Sequence, residues 1–313
     1  MSSTGSPQAL LAWAASSLQD PQARALASQV QWWDLPGLED SPPQQWPVAV
    51  MGQGPTLLLL HGFDSSFLEF RRLAPLLCVD HTLVIPDLYG FGFTPRPQSG
   101  AYGPEGVLVH LAALLDLLPA SVGLIGASMG GAVAMELARR RPEQIDRLLL
   151  LAPAGLGGQP RPLPSPVAAL GVRFLSLPWV RRGLCRSAFA DPANSVGAAE
   201  LEIASLHLRS PGWADSLARF ASSGGFAACG EPLPPQPIRV LWGEQDRVLG
   251  APQRREAHAL LGDSILPVPG CGHLPHLDQP ALVRDQWSRA AVWPSSQARS
   301  PSPLPLQSHG PAA

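Results

Sequence analysis

The 313-residue chain contains no lysine, so all 22 of its basic residues are arginine. A lysine Schiff base and a phosphate-loop lysine are therefore excluded, and with them pyridoxal phosphate and Walker-type nucleotide chemistry. Charge of one sign is equally scarce: the net value is −2, with no basic field for nucleic acid and no acidic tail. Its 4 cysteines, Cys78, Cys185, Cys229 and Cys271, are far apart and form no C-x-x-C pair, which reads as unpaired thiols in a reducing compartment. Cys271 lies two residues before His273, but without a neighbouring cysteine it reads as packing rather than as a metal ligand. No uninterrupted run is long enough to span a bilayer, and no basic residue precedes the short apolar stretch Ala9 to Ala15, unlike a secretory signal. We therefore expect a cytoplasmic protein with at most peripheral membrane contact. With 45% hydrophobic residues the chain can bury one large core and carry an insertion.

What is present is organised around Val122 to Ala138. Val122 to Ile125 reads as a buried strand, Gly126-Ala-Ser128-Met-Gly130 spells G-x-S-x-G, and Ala132 to Arg140 is rich in helix formers. A serine on so sharp a strand-to-helix turn needs small neighbours, and Gly126, Ala127, Gly130 and Gly131 supply them. The start of the helix would turn amide groups and its positive dipole end toward any oxyanion forming beside Ser128.

Strand and helix signals alternate on both sides of this turn. Val30 to Trp33 and Val48 to Met51 read as an antiparallel edge, and Thr56 to Leu60, Thr82 to Asp87 and Ile145 to Ala152 as buried strands. Phe67 to Leu77 and Gly106 to Leu118 have helical spacing. Gly90 and Gly92 form a G-x-G without the third glycine or helix of a dinucleotide site, so a structural turn is expected. Arg139 to Arg141 suit a helix C-terminus better than a phosphate patch. From about Ala154 to Pro237 the chain turns rich in Pro, Gly, Arg and Trp, with helical pieces over Val167 to Leu175 and Val196 to Leu208 and no clear strand. Alternation resumes with Ile238 to Trp242, a helix over Pro252 to Leu261, a strand over Ile265 to Val268 and a helix over Gln279 to Val292. The expected organisation is a helical lead-in over 1–29, in which packing is preferred to lipid contact for Leu10, Leu11 and Trp13. A mostly parallel eight-stranded α/β core follows over 30–153 and 238–292, with a helical cap over 154–237 after the sixth strand and a disordered tail over 293–313.

A serine on such a turn is inert without a base and a carboxylate to hold that base. Asp246 and His273 each follow a predicted strand, so both should project at the carboxyl edge of the sheet with Ser128. Ser128 would attack an acyl carbon, His273 relay the proton and Asp246 stabilise the imidazolium. Glu244 is the alternative to Asp246 but sits closer to its strand. His276 is the alternative to His273, which is preferred because Gly272 frees its loop to turn the ring inward. Asp64 and Asp87 read as turn or cap residues and His61 as a loop organiser. The backbone N–H groups of Met129 and Phe63 are the expected oxyanion donors, worth roughly 3 kcal/mol each. No metal or organic cofactor is required by this chemistry.

Together His61-Gly-Phe, Gly126 to Gly131, Gly243-Glu-Gln-Asp246 and Gly272-His273 resemble the α/β-hydrolase superfamily from about residue 45 to 292. A narrower resemblance is to the chlorophyll dephytylases of plants and cyanobacteria. It rests on His61 to Ser66 with Glu69 and Arg71, on Leu206-His207 with Pro211, Trp213 and Ser222 to Gly225, and on Cys271 to His276. The chain departs from that family at Ala127-Ser-Met-Gly-Gly131, where Pro-Ser-Leu-Gly-Ala would be usual, and in the Pro-rich start of the cap. The resemblance implies hydrolysis of the phytyl ester of chlorophyll and contact with a thylakoid membrane, with Trp213 and Phe220 lining a greasy channel. A general carboxylesterase or lipase, a carbon-carbon bond hydrolase and a non-catalytic pigment-binding scaffold are the alternatives.

Overall fold

The computed structural model describes residues 5–35, 44–289 and 293. Helices α1 (Pro7–Ser17) and α2 (Pro21–Ala27) lead into strands β1 (Val30–Leu35), β2 (Gln44–Met51) and β3 (Thr56–Leu60). Helix α3 (Ala74–Leu77), β4 (Thr82–Pro86), α4 (Pro104–Leu115), β5 (Val122–Ala127), α5 (Met129–Arg140) and β6 (Ile145–Leu151) follow. Five helices then intervene: α6 (Ser165–Leu175), α7 (Pro178–Ala188), α8 (Pro192–Ser195), α9 (Ala198–Leu206) and α10 (Trp213–Ser222). The chain returns through β7 (Ile238–Gly243), α11 (Ala251–Leu261), β8 (Ile265–Val268), α12 (Pro275–Asp278) and α13 (Pro280–Ser288).

The strands make one eight-stranded sheet in the order β1-β2-β4-β3-β5-β6-β7-β8. Pairings β1–β2 and β2–β4 are antiparallel and the other five are parallel, as the alternating pattern predicts. Side chains on a strand point alternately to opposite faces, so a parallel strand covered by helices on both sides must be apolar throughout. Leu58, Leu60, Leu124, Leu148 and Leu150 accordingly enter one apolar cluster, while Leu57, Leu59, Ile125, Leu149 and Leu151 enter another. The sheet is the wall between the two.

Several expectations shift. Phe67 to Leu77 is not one helix: a single 3-10 turn at Phe67–Phe70 precedes α3, because Pro75 has no N–H with which to continue the ladder. In the lead-in, Leu10 and Leu11 are buried against the body of the fold. Asp20 caps α2 by accepting from the N–H groups of Gln22 and Ala23, and it also accepts from Arg71 at 3.0 Å. The Pro- and Arg-rich insertion holds more helix than its sequence signals, since α7 and α10 were not anticipated. Gly90 and Gly92 do form a turn, at φ 83° and 54°. Apart from Trp293, the tail expected over 293–313 lies outside the described residues, as does the predicted end of the last helix. No helix among the described residues is long and apolar enough to cross a membrane.

Candidate active site

Ser128 joins β5 to α5 with φ 52° and ψ −119°, a left-handed backbone that a residue with a side chain adopts at a cost. Its neighbours hold it there. Ser128 N–H donates to the Leu151 carbonyl at 2.9 Å, and its own carbonyl accepts from Gly131 at 2.9 Å and Ala154 at 3.0 Å. A Cβ on Gly126 would lie 2.3 Å from the Gly130 carbonyl oxygen, and one on Gly130 would lie 2.1 Å from that of Leu60. The turn thus closes only with glycine at both positions.

His273 Nε2 stands 2.9 Å from Ser128 Oγ, and His273 Nδ1 stands 3.0 Å from Asp246 Oδ2. The other Asp246 oxygen accepts from Val248 N–H at 2.8 Å and Leu249 N–H at 3.1 Å. Burial pushes the Asp246 carboxyl up, but His273 and these amides outweigh it and hold the group below the usual carboxylate range. Asp246 remains an anion and fixes the ring so that Nδ1 carries a proton and Nε2 is free to accept one from the hydroxyl. Glu244, the rival carboxylate, is exposed, and His276 lies elsewhere, 3.2 Å from Glu69 Oε1.

The His273 loop is clamped from two sides. Gly272 N–H donates to Asp278 Oδ2 at 2.7 Å, and His273 N–H donates to the Ala188 carbonyl at the end of α7 at 2.8 Å. There is no room for a larger residue: a Cβ on Gly272 would stand 2.5 Å from that carbonyl oxygen.

On the opposite side of Ser128 runs the loop after β3. A Cβ on Gly62 would come within 3.3 Å of Ser128 Cβ, so the loop crosses directly over the serine. His61 is buried and accepts from Leu88 N–H at 3.0 Å through Nε2, which leaves Nδ1 to donate to the Gly62 carbonyl at 2.8 Å. Burial pushes this imidazole down to about 4, so it is a neutral loop organiser, as its place in the sequence suggests. Glu69 accepts from Gly62 N–H at 3.3 Å. Burial pushes the Glu69 carboxyl up, but the hydrogen bond with His276 outweighs this and holds the group below the usual carboxylate range. With Gly62 N–H engaged, the next N–H along is that of Phe63. Met129 N–H opens α5, where no intrahelical partner exists.

Asp87 accepts from the Phe67 and Phe93 amides, 2.7 Å each; the Phe93 bond braces its own turn as expected, while the Phe67 bond ties that turn to the segment after β3. Asp64 is not. Instead of bonding nearby amides it accepts from Trp213 Nε1 at 2.8 Å, faces His207 Nε2 at 3.0 Å and pairs with Arg181, all from the insertion. The Trp213 indole is therefore tied into this buried cluster and lines neither cleft beside Ser128, contrary to its expected place in the channel. Glu69, Arg71, His207 and His276 also belong to buried polar networks: Arg71 reaches Asp20 and Glu200, and Arg72 meets Glu200 at 3.1 Å. Their spacing in sequence gave no hint of who pairs with whom.

A cavity of about 330 Å³ opens at Ser128 and His273 and runs under the insertion between Leu175, Leu184, Phe189, Ile203, Leu274 and Leu277. A second cleft of about 370 Å³ lies beyond the half-exposed Phe63 ring, bounded by Met129, Phe220 and Phe226. Phe220 thus stands where a substrate group could meet it. Burial pushes the thiols of Cys185, Cys229 and Cys271 up, to about 11, 12 and 12, which makes them poor nucleophiles. No group of three metal-binding side chains occurs among the described residues.

A doubly wound sheet carrying a serine on a tight β5–α5 turn, a histidine after β8 and an aspartate after β7 defines a hydrolase of the α/β type. The chain belongs to the alpha/beta hydrolase family, whose model matches residues 57–286. It is 28% identical over 282 residues to the alpha/beta hydrolase domain-containing protein VTE7 of Arabidopsis thaliana, covering 85% of this chain and 84% of that one. Over 110 residues it is 36% identical to the 2-hydroxy-6-oxo-2,4-heptadienoate hydrolase of Pseudomonas putida, which spans 34% of this chain and 40% of that enzyme. Among solved structures it resembles the epoxide hydrolase CorEH, with a TM-score of 0.68, 21% identity, and coverage of 83% of this chain and 97% of that one.

Proposed function

We propose that the protein is a serine hydrolase that cleaves a large apolar carboxylic ester through an acyl-enzyme, with the phytyl ester of a chlorophyll-type pigment as its sharpest candidate substrate. The observation that carries this reading is the unbroken relay from Ser128 Oγ through His273 to Asp246 at the mouth of a cavity whose accessible lining is mainly apolar, with Glu69, Arg71, Arg181 and Glu200 among its walls. In this reaction Ser128 Oγ attacks the acyl carbon as His273 Nε2 takes its proton. The carbonyl oxygen becomes negative and is held by the N–H groups of Phe63 and Met129. His273 then protonates the leaving alcohol, and the C–O bond to it breaks. Water, giving its proton to His273, cleaves the acyl-enzyme, and the proton returns to Ser128 Oγ as the acid leaves.

Apolar walls around the cavity support a long hydrocarbon portion of the ester, and Phe220 with the second cleft would take the group on the other side of the scissile bond. The choice of pigment rests on the sequence resemblance to chlorophyll dephytylases. The test is turnover of chlorophyll, of p-nitrophenyl esters of increasing chain length and of a vinylogous diketone, alongside labelling by a fluorophosphonate. We expect phytol release, rates that rise with chain length, and labelling lost in Ser128→Ala. Activity confined to short esters would remove the pigment, preferential cleavage of the diketone would move the chemistry to carbon-carbon bonds, and equal labelling of Ser128→Ala would leave a non-catalytic scaffold.

A further inference from the structure

The outer face of α6 and α7 has the wrong chemistry for contact with water. On α6 the inward residues Ala168 and Val172 are buried, as an amphipathic helix requires, yet the outward positions Val167, Leu170 and Phe174 are apolar too. Their spacing puts them on one stripe, and Leu170 is 69% exposed. A helix that is apolar on both sides is ordinarily buried on both. The stripe continues through Leu177 to Trp179, which is 64% exposed and meets the Phe174 ring edge-on at 5.3 Å. Leu163 extends it at the other end. Contiguous apolar surface of this kind marks a contact site.

Charge decides what it contacts. Between Ala154 and Ala190 there is no aspartate or glutamate, while Arg161, Arg173, Arg181, Arg182 and Arg186 all fall there. Arg181 is committed to Asp64, but Arg161, Arg173 and Arg182 are exposed and have no carboxylate partner among the described residues. Aromatic and aliphatic side chains flanked by unpaired arginines are complementary to a surface that is greasy inside and negative at its face. We propose that the α6–α7 face is a docking surface for a membrane carrying anionic lipid headgroups. The peripheral membrane contact expected from the sequence is thereby assigned to the insertion, while Leu10 and Leu11 of the N-terminal helices pack onto the body of the fold. The same two helices present Leu175 and Leu184 to the cavity beside Ser128, so docking sets the cavity rim against the lipid.

The experiment is co-sedimentation of the full chain with vesicles of phosphatidylcholine alone and with about one third phosphatidylglycerol. Wild type should partition at least about tenfold more strongly into the anionic vesicles, with the gain lost at high salt. The variant Leu170→Ser, Phe174→Ser, Trp179→Ser should lose binding by about tenfold or more, and Arg173→Gln, Arg182→Gln should lose the preference for anionic lipid. Both should keep the wild-type melting curve and hydrolyse a soluble short-chain ester at the wild-type rate, since none of the five side chains lines either cleft. Undiminished vesicle binding by the apolar variant would overturn the proposal. So would a lipid-free dimer that the same variant dissolves, because the face would then belong to a second copy of the chain. Vesicle binding is read without turnover, so it stands or falls independently of the hydrolytic reading.

Discussion

Asp64 Oδ1 accepts the indole N–H of Trp213 at 2.8 Å, joining the residue after Phe63 to the first turn of α10. Asp64 itself sits at φ 49°, a strained backbone that its bonds to Trp213, His207 and Arg181 hold in place. Burial pushes the Asp64 carboxyl up, yet His207, Arg181 and Trp213 outweigh it and keep the group ionised. The loop that crosses Ser128 is thereby fastened to the insertion. Asp64→Asn would leave the Arg181 charge buried and uncompensated, and urea denaturation should register a loss of about 3 kcal/mol.

Asp246→Asn should leave the fold and substrate affinity close to wild type while lowering kcat by roughly 10⁴-fold, because an amide stabilises the wrong tautomer of His273. Steady-state kinetics on a p-nitrophenyl ester with a thermal melt on the same sample check both halves.

Gly272→Ala adds one methyl group 2.5 Å from the Ala188 carbonyl oxygen, and the His273 loop must move to relieve it. A shift of about 1 Å in the base costs roughly 10²-fold in rate. The expected signature is slow labelling by a fluorophosphonate in a protein whose circular dichroism is unchanged.

Acid sensitivity should come from buried histidines. Burial alone pushes His110 down to about 3, and its ring contacts Trp46 at 4.4 Å with neither nitrogen hydrogen-bonded. With a folded pKa below the unfolded value, His110 contributes stability that is fully present above pH ~6.5 and is lost as pH falls toward the folded value. By pH 5 the loss is about 2 kcal/mol. His61 adds to it in the same direction. His110→Leu removes one of these groups and leaves no polar atom stranded, so melting temperature should fall less steeply between pH 7 and 5 than in wild type.

Where one physical cause acts over a short stretch, the chain reveals its structure directly. Leu57 to Leu60 and Leu148 to Leu151 announce doubly covered strands, and Gly126, Gly130 and Gly131 announce the tight turn at Ser128, since each answers to its immediate neighbours. Asp246 and His273 could be named because strand ends share one edge of the sheet. Asp64 could not be read, because its partners lie 117 to 149 residues away and a buried carboxylate looks in sequence like any turn residue. Trp213 was placed in a channel by the resemblance to chlorophyll dephytylases, whereas its N–H commits it to Asp64, a partner far away in sequence. Helices α7 and α10 were overshadowed by the prolines and glycines around them, although Trp213, Ser216, Leu217 and Phe220 recur at helical spacing on the buried side of α10.

The bond from His273 N–H to the Ala188 carbonyl has a consequence for any attempt to retarget this protein. The segment between β6 and β7 supplies part of the cavity wall and, through one backbone oxygen, also sets the height of the imidazole over Ser128. Grafting a foreign segment there to change the molecule that is accepted would reset the proton relay in the same stroke. Selectivity and reactivity in this scaffold are inherited as one block, and a successful transplant must reproduce the oxygen at position 188 before it alters any wall.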